Sequence, residues 1–255
     1  MPPITPQARI RSTAEFFSPA HVRAASHRGL SPGWNRFTGW SNLLIIAAVA
    51  SGVLACSSTT AAPEDYVYRA RIDDCRITTP QLATVFRIGE RLMVSAAHPF
   101  EGIRSFELFD ADGGNVEADL IALRSDKDLA LLRLRDPLPS PAVGLATESV
   151  PRDSAVQIIT FDREGVLVVK NGLVVRRANV TLDGEDPRKA IELEAEIEAG
   201  DSGAPVLFDG SMVGVVFAAS RVNESGWAVS VPEVRTLVEA QPEDSDPLVL
   251  GCDAG

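Results

Sequence analysis

The 255-residue chain is 45% apolar and 6% aromatic, a composition that suits a soluble, β-rich core, and it carries a formal net charge of −11. An acidic balance of this size argues against nucleic acid as a partner and disfavours acidic substrates.

Residues 1–42 hold five arginines (Arg9, Arg11, Arg23, Arg28, Arg36) against one acid, Glu15, and are followed by "LLIIAAVASGVLA", thirteen uncharged residues with an apolar bias. A bilayer span needs about 20 residues. A basic stretch, a short apolar core and small residues before a cut form the pattern of a secretory signal, so 1–55 is read as a leader. Its basic region is long for a signal, which points to a start further downstream. The leader ends in "VLAC", which resembles the bacterial lipobox; that resemblance implies a diacylglyceryl group on Cys56 and an exported protein lipid-anchored in a bacterial envelope. An ordinary signal with a chance cysteine is the alternative. "SSTTAAPED" after Cys56 is small and polar, so 56–66 is expected to be the lipidated cysteine and a flexible tether. Beyond the leader, 19 basic and 34 acidic residues leave about −15.

Strand-like runs then recur between Gly, Pro, Asn and Asp turns. "LATVFRI", "RLMVSA", "RSFELF" and "LALLRL" precede "DPLPSP" at 136–141; "AVQIITF", "GVLVVKNGLVV", "AIELEAEI", "PVLF", "MVGVVFAA" and "GWAVSV" follow it. Many short strands at such spacing predict a barrel or a sandwich, and the three prolines divide the series into two groups. "DADGGN" at 110–115 has Ile121 where a calcium loop needs its twelfth-position acid, so a hairpin turn is expected there. "VPEVRTLVEA" places Pro232 at a helix start with Val231, Val234, Leu237 and Val238 at helical spacing. The tail 241–255 is too short for an appended peptide-binding domain.

Gly200, Asp201, Ser202 and Gly203 interrupt this pattern. Two glycines weaken a regular strand, yet they let a turn aim backbone N–H groups outward, which a serine nucleophile requires. A plain hairpin turn with a chance serine is the alternative. A nucleophilic serine also needs a base and an orienting acid. His21 and His27 lie in the leader, which leaves His98, at the end of the strand in "RLMVSAAHPF". Asp126 and Asp128 precede the strand "LALLRL" and are the candidate acids. With a single histidine outside the leader and no metal-ligand spacing around the cysteines, no metal site is expected.

"VSAAH", "DLALLRL" and "GDSGAP", in that order, resemble the three signature segments of the chymotrypsin-fold, trypsin-like serine endopeptidases over roughly residues 67–240. In compactness the chain is closer to bacterial envelope members such as the Deg-type proteases than to the digestive enzymes. The order His, Asp, Ser belongs to that fold, and other folds with the same triad use other orders. The resemblance implies an all-β fold of two six-stranded antiparallel β-barrels, about 67–136 and about 142–231, with a C-terminal helix at about 232–240. It assigns the catalytic roles to His98, Asp128 and Ser202 and the oxyanion-hole amides to Gly200 and Ser202. Asp126 falls outside "DLALL" and is the weaker candidate. No cofactor is implied, and the substrate is a protein or peptide. The digestive members mature by freeing an apolar N-terminus that pairs with the acid before the nucleophile. No such segment lies at the right distance before His98, which leaves Asp201 without that partner. A fold-retaining binding or signalling module with little turnover, and an esterase, are the alternative functions.

In the family, the residue six before the nucleophile lies at the base of the primary pocket, and here that is Glu196. The alternation in "AIELEAEIEAG" instead groups Glu196 with Glu192, Glu194 and Glu198 on a solvated strand face, leaving Ala195 and Ile197 inward. By resemblance, Phe217, Ala218, Ala219, Gly226 and Ala228 supply the other walls. Such a pocket is expected to be small and apolar and to select Ala, Val or similar residues before the cut. Export together with lipidation of Cys56 would leave Cys75 and Cys252 to form a disulfide, with two free thiols as the alternative.

Overall fold

The computed structural model describes residues 62–181, 187–220, 225–242 and 244–252. The expectations for the leader and for Cys56 lie outside the described residues.

After a single helical turn, α1 (Pro63–Tyr66), the first strands are β1 (Val67–Asp74), β2 (Gln81–Arg87), β3 (Leu92–Ser95), β4 (Ile103–Phe109), β5 (Asn115–Val116), β6 (Ala118–Arg124) and β7 (Leu129–Leu134). They form one antiparallel sheet in the order β5-β4-β1-β2-β3-β7-β6. The second group is β8 (Gly144–Leu145), β9 (Ala155–Phe161), β10 (Leu167–Val180), β11 (Arg188–Glu194), β12 (Pro205–Phe208), β13 (Ser211–Ala219) and β14 (Ser225–Ser230), followed by helix α2 (Val231–Ala240). Here β12 pairs with both β9 and β13, so β9-β10-β11-β14-β13-β12 closes into a six-stranded barrel. The all-β fold with a C-terminal helix is therefore as expected, but its halves differ from two equal six-stranded barrels. The first is an open, seven-stranded half-barrel, and the second carries β8 as an extra strand parallel to β13.

β7, β13 and the second half of β9 read as nearly continuous apolar runs because both of their faces are buried. Along β7, Ala130, Leu132 and Leu134 pack inside the first sheet, whereas Leu129 and Leu131 join a cluster shared with the second barrel. β9 does the same from the other side: Val156 and Ile158 fill the second barrel, and Ile159 and Phe161 meet the shared cluster. A period of two with both faces covered gives no polar alternation to read. Val231, Val234 and Leu237 of α2 close the shared cluster.

Two covalent and polar ties fasten the chain outside the sheets. The proline-rich 136–141 segment is held by the buried Arg87, whose guanidinium donates to the carbonyls of Leu138, Ser140 and Pro141. The tail runs back over the first sheet, where Leu248 N–H donates to Leu120 O at 2.8 Å and Cys252 is disulfide-bonded to Cys75.

Candidate active site

β3 ends at Ser95, and a 3-10 turn, His98–Phe100, follows at once, so the imidazole of His98 projects from the end of a fixed strand. The tight turn before β7 presents Asp128, whose φ of +53° lies in the left-handed region. Its carboxylate accepts the N–H groups of Ala97 and His98 at 2.9 Å each. His98 Nδ1 lies 3.0 Å from Asp128 Oδ2, and His98 Nε2 lies 3.0 Å from Ser202 Oγ. Because a carboxylate can only accept, Nδ1 carries the hydrogen and Nε2 is left to accept from the serine hydroxyl. Asp126 is elsewhere, held bidentately by Arg124 at 2.9 Å.

Burial pushes the Asp128 carboxyl upward. The hydrogen bond and charge of His98, its N–H and the Arg188 guanidinium outweigh that effect and hold the group below the usual carboxylate range. Arg188, at the start of β11, is itself buried. It stands 3.7 Å from Asp128 Oδ2 and lies over the Phe217 ring at 5.3 Å, a cation–π placement.

The turn 200–203 belongs to the second barrel and is gripped by β2 of the first sheet. Thr84 N–H donates to Ser202 O at 2.8 Å, and Thr84 Oγ1 donates to Gly200 O at 3.1 Å. Gly203 has φ of +88°, and a Cβ there would stand 2.0 Å from Thr84 O, so no other residue fits. Gly200 also has a positive φ, +106°. Among the described residues neither the Gly200 nor the Ser202 N–H has a hydrogen-bond partner, the condition for two donors to receive a developing oxyanion. Asp201 is buried. Its Oδ2 accepts from Lys170 Nζ and from Glu198 N–H, both at 2.8 Å, which supplies the partner that the sequence alone did not reveal.

Beside Ser202 opens a cavity of about 900 Å³ whose lining includes Ala195, Glu196, Ile197, Phe217, Ala218 and Ala219. Two of the expected wall residues are not in it. Ile197 sits over Gly226, where a Cβ would come within 2.4 Å of its Cγ1, and Ala228 is fully buried in the interior of the second barrel. The wall is also less apolar than expected, since Glu194, Glu196 and Glu198 border it. Glu192 departs from its solvated-face assignment: it is buried, paired with Arg176, with the Arg176 guanidinium over Trp227. Both neighbours lie opposite Glu192 on the flanking strands. Among the described residues no group of three or more His, Cys, Asp or Glu side chains is placed to hold a metal ion.

Thr84, Lys170 and Arg188 are site residues that motif reading missed. The signal for two of them was present as a lone threonine in "LATVFRI" and a lone lysine in "GVLVVKNGLVV", polar groups in apolar strands that must find partners.

A Ser-His-Asp contact chain thus lies between the two sheets. A model of the trypsin-like peptidase domain matches residues 83–215, just over half of the chain, and the chain belongs to that family. By class it is a serine endopeptidase. No curated protein matches it significantly in sequence. Among solved structures, the active form of the Rv3671c protease from M. tuberculosis is 23% identical, with a TM-score of 0.68, over 87% of this chain and 100% of that one. The HtrA-type protease AlgW with tripeptide is 20% identical at 0.61, over 71% of this chain and 62% of that one. The serine endoprotease from Yersinia pestis is 17% identical at 0.59, over 71% and 63%. At these identities the three share the fold with this chain.

Proposed function

We propose that the protein is an exported, membrane-anchored endopeptidase that cleaves peptide bonds through an acyl-enzyme on Ser202. Ser202 Oγ attacks the scissile carbonyl while His98 Nε2 takes its proton and then returns it to the leaving amine. Asp128 holds the imidazole tautomer and balances its positive charge. The Gly200 and Ser202 N–H groups receive the oxyanion. Water then releases the acyl group by the same proton relay run in reverse. The single observation that carries this reading is the unbroken contact chain from Asp128 through His98 to Ser202, with both links at 3.0 Å. The apolar part of the cavity wall, Ala195, Ile197, Phe217, Ala218 and Ala219, supports an aliphatic residue before the cut, and a basic residue there is the alternative that Glu194, Glu196 and Glu198 at its border favour. The Cys75–Cys252 disulfide supports export to an oxidising compartment, and "VLAC" supports a lipid on Cys56.

A fluorophosphonate probe applied to membrane and soluble fractions tests the whole reading. The wild type should be labelled in the membrane fraction. Ser202→Ala and His98→Ala should lose labelling and peptide turnover while remaining folded, and Cys56→Ala should keep the label but carry it into the soluble fraction. Labelling that survives Ser202→Ala overturns the mechanism, and label that stays with the membrane in Cys56→Ala overturns the anchor.

A further inference from the structure

Asp201 presents an electrostatic problem. A carboxylate with its side chain 3% exposed, immediately before the nucleophile, is stable only if a cation or several donors face it. In this chain the cation comes from within the second barrel. Lys170 lies on β10 opposite Ile158, and its Nζ reaches Asp201 Oδ2 at 2.8 Å and Glu198 Oε2 at 3.6 Å. The same Oδ2 also accepts Glu198 N–H, so the ammonium and the 198–201 backbone converge on one oxygen. Two residues along the same face of β10, Gly172 lies so close to the next strand that a Cβ would meet the Ala195 Cβ at 2.9 Å and the Glu194 carbonyl at 3.1 Å. β10 is thus packed directly against the segment that leads into the oxyanion turn.

We infer that Lys170 is the positioning residue of the oxyanion hole, a counter-charge built into the folded chain that fixes Asp201 and thereby the Gly200 and Ser202 amides. It touches no reacting atom. The turn has a positive φ at both glycines and is anchored through Thr84 on one side and through Asp201 on the other. Removing the cation leaves a buried charge held, among the described residues, by the Glu198 N–H alone; turning the Asp201 side chain toward water relieves it, and that rotation carries the adjoining Gly200–Asp201 and Asp201–Ser202 peptides with it. The regulatory consequence is that the protein needs no chain cleavage to complete the hole, because the ammonium is present as soon as β10 forms. This inference rests on the acyl-transfer reading above.

The test compares wild type, Lys170→Met, Lys170→Arg, Asp201→Asn and the double variant Lys170→Met/Asp201→Asn in steady-state peptide hydrolysis and fluorophosphonate labelling. Thermal unfolding and disulfide content are followed in parallel. Loss of an oxyanion donor costs about 10²–10³ in kcat, and Lys170→Met should lose on that order in kcat with little change in KM. Lys170→Arg should recover most of the loss, and the double variant should be no worse than Asp201→Asn alone. In Lys170→Ala, propylammonium chloride should restore turnover where propanol and sodium chloride do not. A Lys170→Met enzyme with wild-type kcat overturns the inference and leaves the triad reading intact. So does a loss that tracks only the unfolded fraction and that neither arginine nor the amine restores. A wild type that is neither labelled nor active overturns the triad reading, and this inference with it.

Discussion

Asp128 adopts a backbone conformation that costs an L-residue about 1–2 kcal/mol, although aspartate tolerates it better than most. The carboxylate it presents is held by two N–H groups, an imidazole and, behind them, Arg188. Its folded-state pKa lies below the ordinary value, so the unfolded chain binds the proton more readily. The stability this contributes is in full force above the unfolded value of about 3.9 and is lost as pH falls through the lower folded one. Arg188→Met removes one of the groups that hold the pKa down, so the acid-unfolding midpoint should move to higher pH. Stability near neutrality should drop by about 3 kcal/mol, the lower end for breaking a buried pair. Arg188→Lys should recover part of both. Circular dichroism against pH measures the shift, and an unchanged midpoint would show that Arg188 acts on packing alone. At the same position, Asp128→Asn should cost on the order of 10⁴ in turnover, because the imidazole then presents the wrong tautomer to Ser202.

β11 and the segment after it show what an element reveals in sequence and what it hides. The burial of Ile191 and Leu193 follows from period-two alternation, and the chain order of the three motifs sufficed to nominate His98, Asp128 and Ser202. Glu192 was misplaced because its environment comes from two other strands: Arg176 opposite on β10 and Trp227 opposite on β14. No window along β11 contains either residue. Beyond Glu194 the strand ends, so alternation no longer dictates direction, and Ile197 is placed by its contact with Gly226 instead. Lys170 and Thr84 escaped for the same reason as Glu192, since their partners are 31 and 116 residues away. Ile197 also gives the pocket a testable limit. Ile197→Ala should deepen the cavity over Gly226 and move the preferred residue before the cut from Ala or Val toward Leu or Phe, while Glu196→Gln, altering an exposed side chain, should leave the preference in place. Peptides differing only at that residue decide it. A strong Arg or Lys preference removed by Glu196→Gln would place the carboxylate, not Ile197, in control of specificity.

At the scale of the whole molecule, a disulfide ties the C-terminal tail to the segment that follows β1 in the first sheet. Cys75 follows β1 and Cys252 lies in the tail, with Cα atoms 5.5 Å apart and a sequence separation of 177. A loop of that length removes much conformational freedom from the unfolded chain, about 5 kcal/mol in the chain-entropy account, while denatured-state structure commonly reduces the measured value to about 2–4 kcal/mol. Among the described residues the tail between α2 and Cys252 is also attached through Leu248 N–H to Leu120 O, Ser245 O accepting from Arg133, Gln241 Nε2 donating to Ile121 O, and Leu250 packed on the first-sheet core. None of these involves His98, Asp128 or Ser202. Reduction, or Cys252→Ser, should therefore lower the free energy of unfolding by about 2–4 kcal/mol and release the tail, with kcat unchanged at temperatures where the protein stays folded. Denaturant titrations with and without reductant, paired with peptide hydrolysis, separate the two effects. If the midpoints coincide, the staple carries no stability. If kcat falls while the midpoint holds, the tail reaches the cleft through contacts other than these.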